Sequence, residues 1–294
     1  MNSSKPSWLK VKLPAHENYF HLSELLKKNK LNTICQSAKC PNVTECWTAR
    51  TATFLILGDV CTRRCAFCAV KKGQPAPLCA EEPERVAEAV ETLGLNYAVI
   101  TSVTRDDLPD GGASIFAATI QAVRRRTPNT QIEVLIPDFQ GQDEALKTVL
   151  MARPEILNHN LEVPEAIYPA INRPPAHYRR SLRVLEKAKE MAATTKSGLM
   201  IGLGENAPDI LLTFSELRRA GCDLLTIGQY LRPSRDNAPV EKYYAPEEFL
   251  ELKNIALDFG FRDVEAGPLV RSSYHARKLY QTTRRDTWGH ACAT

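Results

Sequence analysis

Three cysteines, Cys61, Cys65 and Cys68, stand in a C-x3-C-x2-C spacing directly after an apolar stretch, Thr53 to Leu57, that reads as a strand. Three thiolates so placed can hold three irons of a cubane 4Fe-4S cluster, which leaves the fourth iron open to a small molecule. A structural zinc ion wants four tetrahedral ligands, commonly from two C-x2-C knuckles, whereas this spacing supplies one tight pair and a third cysteine. Three thiols in one loop have no packing role of their own. A second triplet, Cys35, Cys40 and Cys46 in C-x4-C-x5-C, comes earlier in the chain and is again one ligand short of a closed cluster. Cys79, Cys222 and Cys292 lie outside both triplets and are assigned no chemistry; Cys222 starts an apolar run and is expected to be buried. Nine cysteines cannot all pair, and Met1 to Trp8 lacks both a secretory apolar core and an Arg-rich transit pattern. The expectation is a cytoplasmic, reducing setting in which clustered cysteines bind metal.

Other polar residues gather at the ends of apolar runs. Asp106, Asp107 and Asp110 adjoin Gly111 and Gly112, where carboxylates serve as turn formers, helix caps or metal ligands. Asn158, Asn160 and Glu162 follow another run and could cap the next helix. His159 between them reads as a polar residue at the same edge. Arg173, Arg179 and Arg180 could meet a protein partner, anchor a carboxylate or face solvent. Arg124 to Arg126 and Arg284 to Arg285 read as solvated helix faces.

The elements that must position these groups follow a βα alternation. Strand candidates are Thr53 to Leu57, Tyr97 to Val103, Ile132 to Ile136, Glu155 to Leu157, Gly198 to Leu203 and Leu224 to Gly228, with another near Asp263. Amphipathic stretches lie between them: Glu84 to Leu93, Ala113 to Arg126, Ser181 to Met191, Ala207 to Ala220 and Pro246 to Phe259. Repeated βα units predict a parallel sheet. The expected fold is therefore α/β, a partial (β/α) barrel of about six parallel strands, with chemistry at the C-terminal strand ends. A helix at His21 to Asn29 and the first cysteine triplet precede it. A helix-prone segment, Ser272 to Thr282, follows, and then a tail with Trp288, Gly289 and His290 in no regular pattern. The expected divisions are 1–50, 51–265 and 266–294.

Composition is that of an ordinary globular chain: 294 residues, 44% hydrophobic and 24% charged. The longest apolar run, Cys65 to Val70, is far short of the roughly 18 residues of a membrane span. The balance of 38 basic and 34 acidic residues gives +4 with no long block of one sign, so neither membrane nor nucleic acid is expected as a partner.

The C-x3-C-x2-C motif with Phe67 before its last cysteine resembles the signature of radical S-adenosylmethionine enzymes. The resemblance implies that the amino and carboxylate groups of S-adenosylmethionine chelate the open iron. One electron then cleaves the sulfonium to a 5'-deoxyadenosyl radical able to abstract hydrogen from unactivated carbon. With the second triplet, the stretches Asn42 to Trp47, Arg50 to Phe54, Arg105 to Gly112, Leu157 to Glu162, Gln229 to Ser234 and Arg271 to Tyr274 closely resemble lipoyl synthases, over roughly Pro6 to Tyr280.

That family resemblance implies two 4Fe-4S clusters. One, on Cys61, Cys65 and Cys68, makes the radical. An auxiliary one, on Cys35, Cys40, Cys46 and Ser273, donates sulfur, with 266–294 closing over it. An alkoxide is a harder ligand than a thiolate and suits a corner meant to come apart; apart from the resemblance, Ser273 reads equally as a helix N-cap. Arg105 and Asp106 are implied to lie near the cosubstrate or shape its loop, Asn158, Asn160, Glu162, Arg173 and Gln229, with Phe67, to lie near it, and Met200 to Glu205 to pass its adenine. The implied reaction inserts two sulfurs at carbons 6 and 8 of an octanoyl chain on a lysine of a lipoyl carrier domain. Further implied partners are a reductant such as flavodoxin or ferredoxin and an iron-sulfur carrier protein. A radical methylthiotransferase, a two-cluster electron-transfer protein and a zinc-stabilised binding module stay open as alternatives.

Overall fold

A computed structural model describes residues 5–11, 16–49 and 51–281. Arg50, Thr282, Arg284, Arg285, Trp288, Gly289, His290 and Cys292 lie outside the described residues. The first helix, α1 (Glu17–Lys28), starts where His16 Nδ1 accepts from the Asn18 backbone at 3.2 Å, and it buries Leu22, Leu25 and Leu26. It begins four residues before the helix read from the sequence, because that cap lies upstream of its apolar stripe. The chain then forms β1 (Asn32–Thr33), α2 (Ile34–Ser37) and α3 (Val43–Thr48), with Trp47 fully buried. These short pieces carry the first cysteine triplet.

The βα alternation follows. It comprises β2 (Thr53–Ile56), the short pair β3 (Val60–Cys61) and β4 (Lys71–Lys72), α4 (Glu82–Thr92), β5 (Tyr97–Ser102), α5 (Ala113–Arg126), β6 (Gln131–Leu135), α6 (Asp143–Met151), β7 (Ile156–Asn158), α7 (Ala176–Glu190), β8 (Thr195–Ile201), α8 (Ala207–Arg219), β9 (Leu224–Gln229), α9 (Pro246–Asp258) and β10 (Asp263–Gly267). Residues 276–281 are helical. Strands β2, β5, β6, β7, β8, β9 and β10 pair in that order, all parallel, and β1 adds antiparallel beside β2. This is the predicted partial barrel, its seven parallel strands being the six named from the sequence and the one expected near Asp263.

Strands buried on both faces read as continuous apolar runs, which is why most were legible. Between β1 and β10 the sheet is open, and segments from the two ends of the chain meet there. Asn42 Nδ2 donates to the Leu269 carbonyl at 2.6 Å, Tyr274 Oη to Glu45 at 2.9 Å, and Thr53 Oγ1 to Ser273 Oγ at 2.9 Å.

Gly112 opens α5 at φ 91°, where an added Cβ would lie 2.3 Å from Leu57 Cδ1. The helix end is held by Asp110, whose carboxylate accepts from the backbones of Gly112 and Ser114 at 2.9 and 2.8 Å. Capping and turn formation thus account for Asp110.

Strand β8 begins earlier than its apolar run because Lys196 is inside the barrel. Its Nζ donates to Glu133 at 2.9 and 3.2 Å, and both side chains are completely buried. Glu133 also accepts from Tyr97 Oη at 2.7 Å and Asn158 Nδ2 at 3.0 Å. Replacing Lys196 with Met would strand this carboxylate, and the expected loss of roughly 3–5 kcal/mol is measurable by urea denaturation. Removing the exposed Lys71, paired with Asp59 at 2.6 Å, should cost no more than about 1 kcal/mol. Equal losses for the two variants would contradict the buried-pair account.

Candidate active site

Cys61 lies within β3, and its partner β4 closes the cysteine loop behind it, pairing Val60 with Lys71 and Cys61 with Lys72. Two residues are too few to announce a strand by periodicity. The loop is tied on every side. Thr62 N donates to Thr104 O at 3.1 Å, Ala66 N to Ile171 O at 2.9 Å, and Asn237 Nδ2 to the carbonyls of Ala66 and Cys68, both at 3.0 Å. The loop is therefore shaped by barrel contacts, with none of its thiols in a disulfide.

Cys61, Cys65 and Cys68 face a cavity of about 580 Å³ at the C-terminal ends of the strands, and Cys35, Cys40 and Ser273 line the same cavity. Cys46 lies behind them, close enough to Cys35 and Cys40 for their charges to interact. Burial pushes the Cys46 thiol up to about 12 and the Cys68 thiol up to about 11, and neighbouring thiols add to both. Burial raises Cys35 and Cys40 too, against the backbone amides of Thr53 and Asn42. Desolvated thiols bunched like this become thiolates when a cationic centre takes the protons' place. Among the described residues no three His, Cys, Asp or Glu side chains converge as a single metal ion needs; a cubane puts each thiolate on a different iron.

Several predicted residues share this cavity. Arg173 Nε donates to Cys65 Sγ at 3.3 Å, and its guanidinium lies 5.9 Å from the ring centroids of both Phe67 and Tyr168. Burial works against its charge, and the neighbouring Cys65 sulfur and Glu162 carboxyl more than offset that and hold the guanidinium protonated. Burial raises the Glu162 carboxyl, and Arg173 opposes the rise. Asn160 Nδ2 donates to Ser272 Oγ at 2.7 Å, while its Oδ1 is buried without a partner.

His159 completes this wall. Its Nδ1 faces the Ile136 carbonyl at 2.9 Å, which fixes the proton on Nδ1 and leaves Nε2 as an acceptor. That Nε2 is buried and unpartnered. Burial pulls the imidazole down to about 4, so it is neutral at pH 7. Gly198 opens the same wall: a Cβ there would sit 2.7 Å from Asn160 Oδ1, 2.9 Å from Thr226 Oγ1 and 3.0 Å from Ser272 Oγ. Orphaned acceptors beside a hollow that any side chain would fill fit a polar cosubstrate.

Other expected residues have different surroundings. Arg105, Asp106 and Asn158 are not on the cavity wall. Arg105 is buried, bonded to Asp107 and to the Leu57 carbonyl, because the strand-end turn needs its backbone oxygens satisfied. Asp106 pairs with Arg63 at 2.7 and 2.8 Å. Asn158 turns into the barrel toward Glu133. Gln229 does line the cavity, but its amide is spent on backbone: Nε2 on Ile201, Tyr230 and Lys242 carbonyls, and Oε1 on the Tyr244 amide at 2.9 Å. Ser273 is not the N-cap of the last helix, which begins at residue 276. Arg179 pairs with Glu165 and Glu216, Arg124 with Glu155, and Arg126 with Glu91.

Sequence reasoning missed Arg63. Its guanidinium bridges Asp106 and the buried Asp138, the latter at 3.0 and 2.5 Å, and its backbone N–H donates to Cys61 Sγ at 3.4 Å. Arg63 holds the Asp138 carboxyl well below the usual carboxylate range. Its place inside the cysteine motif was the available signal, while its partners lie far along the chain.

A partial parallel barrel with a three-thiol loop at its C-terminal mouth is the architecture of radical S-adenosylmethionine enzymes, and residues 55–217 match the radical SAM superfamily. Solved structures with similar folds include methylornithine synthase, with a TM-score of 0.53 at 13% identity over 85% of this chain and 82% of that one. HydG, a maturase of the [FeFe]-hydrogenase, gives a TM-score of 0.57 at 13% identity over 89% and 74%. Much closer relatives are lipoyl synthases. That of Koribacter versatilis is 55% identical over 96% of this chain and 93% of its own length, and that of Halalkalibacterium halodurans 57% over 92% and 90%. The chain belongs to the lipoyl synthase family.

Proposed function

We propose that Cys61, Cys65 and Cys68 hold the radical-forming 4Fe-4S cluster, that Cys35, Cys40, Cys46 and Ser273 hold an auxiliary 4Fe-4S cluster, and that the chain uses both to convert a protein-bound octanoyl-lysine to lipoyl-lysine. The observation that carries this reading is that Cys61, Cys65 and Cys68 face the same cavity as Cys35, Cys40 and Ser273, with Cys46 close behind the latter. With iron-sulfur and S-adenosylmethionine bound, that cavity supplies hydrogen abstraction at carbons 6 and 8 and the two sulfurs that replace those hydrogens.

The chain's own residues do the rest. Arg173 is the cation best placed for a carboxylate beside Cys65. Asn160 Oδ1 and His159 Nε2 accept hydrogen bonds from hydroxyl or ammonium groups, and the neutral imidazole adds no charge to repel a cationic sulfonium. Phe67 supplies apolar surface next to Cys68. Leu9, Val11, Ile34 and Val70 line the same cavity and suit an alkyl chain, excluding water from the reacting carbons. The outside partners this requires are an octanoylated lipoyl carrier domain, a reductant of flavodoxin or ferredoxin type and an iron-sulfur carrier protein. No described helix is long and apolar enough to cross a membrane.

The test is an anaerobic reaction of iron-sulfur-reconstituted protein with S-adenosylmethionine, dithionite and an octanoyl-lysyl peptide, read by mass spectrometry. A product with two added sulfurs, beside 5'-deoxyadenosine, is expected: the dithiol under dithionite, and two fewer hydrogens once air oxidation closes it to the disulfide. Deoxyadenosine with an unchanged peptide would refute the substrate assignment.

A further inference from the structure

The cavity mouth is ringed by cations that no carboxylate of the described residues neutralises. Lys5, Lys39 and Arg232 line the large cavity, and Lys39 and Lys72 line a smaller hollow of about 200 Å³ beside it. Arg235 follows in the same loop, where its carbonyl accepts from Arg232. All five side chains are exposed. Arg232 otherwise donates to the Asn237 carbonyl at 2.8 Å, leaving its charge uncompensated. Of the carboxylates nearby, Asp236 lines the small hollow and offsets one of these charges without pairing to any of them, Asp138 is committed to Arg63 and Arg180, and Glu162 lies inside the cavity near Arg173, so the rim keeps a net positive charge. On the outer helices the exposed arginines Arg125, Arg179 and Arg183 each have an acidic partner.

We infer that this basic rim, with Lys72 and Arg235 at its outer edge, docks an acidic face surrounding the modified lysine of the carrier domain. The inference rests on the sulfur-insertion reading. An octanoyl-lysine must enter through this mouth, so the protein surface around that lysine comes against these side chains. Exposed rim cations keep much of their hydration when they meet opposite charge, and they act mainly on encounter rate and selectivity. The chemistry that fits is a folded acidic domain.

The experiment compares wild type with the Lys72→Glu/Arg235→Glu double variant under dithionite, so that no protein reductant takes part. Two substrates are used: an intact octanoylated carrier domain with an acidic surface, and a short neutral octanoyl-lysyl peptide. The variant should raise KM for the domain about tenfold and leave kcat and KM for the peptide unchanged; wild-type KM for the domain should climb with salt while that for the peptide stays flat. Lys72→Gln/Arg235→Gln should give a smaller rise in the same direction, and matching thermal melts would exclude a folding defect. An unchanged KM for the domain in both variants overturns the inference. So does a defect seen only when flavodoxin replaces dithionite, which would give the rim to the electron donor. Failure of wild type to convert even the peptide would instead bring down the underlying functional reading.

Discussion

Cys61→Ala should abolish S-adenosylmethionine cleavage while leaving the other thiol set assembled. The position has two structural roles that separate cleanly. Its backbone sits in β3, where the Cys61 carbonyl accepts from Gly73 N at 3.1 Å, and alanine keeps that bond. Its sulfur is one of only three thiolates the loop offers, and neither Cys79 nor Cys222 lines the cavity to replace it. The variant should fold, keep about half of the iron and sulfide of a chain that holds two cubanes, and yield no 5'-deoxyadenosine above background. Anaerobic iron analysis beside product chromatography measures both quantities. Undiminished deoxyadenosine would remove Cys61 from the radical-forming set, and loss of all iron would mean that the two thiol sets assemble as one.

How much of this site could be read from residues alone depended on the range of the interactions that build it. The parallel strands were legible because burial on both faces writes an apolar run into each one. The cysteine spacings were legible because each triplet lies within one short stretch of chain. Helix α6 went unread: its buried set, Ala145, Leu146 and Val149, spans little more than one turn. Strand β8 was read too short, since a lysine at its start looks like a loop residue until Glu133, 63 residues earlier, is found facing it. Asn158 was misplaced for the same reason, its partner being the same carboxylate. Arg63 shows the limit most clearly. An arginine between two cysteines looks like solvent exposure, and only its contacts with Asp106, 43 residues away, and Asp138, 75 residues away, reveal a buried bridge. His159 was placed correctly at the strand-end edge, but its tautomer depends on a carbonyl 23 residues distant.

Ser273→Ala should uncouple radical formation from sulfur insertion. Ser273 reaches the cavity because a positive-φ turn at His275 and the contacts of Asn42 with Leu269 and Tyr274 with Glu45 fold the C-terminal segment against the first cysteine triplet. Thr53 Oγ1 donates to Ser273 Oγ at 2.9 Å, and a donor at that distance stabilises an alkoxide and orients its remaining lone pairs. Alanine removes the oxygen and leaves Cys61, Cys65, Cys68, Arg173 and His159 untouched, so deoxyadenosine should still form at near the wild-type rate. Lipoyl product should fall by at least about tenfold, the scale at which disturbing a metal ligand's surroundings affects function. Thr53→Val, which keeps the serine and deletes its donor, should fall between wild type and Ser273→Ala. Ser273→Cys supplies a softer thiolate and should give an auxiliary cluster that forms readily yet releases sulfur slowly, seen as persistent cluster absorption during turnover with little product. Normal lipoyl yield from Ser273→Ala would remove the serine from the auxiliary set and leave its contact with Thr53 as a packing detail of the open barrel edge.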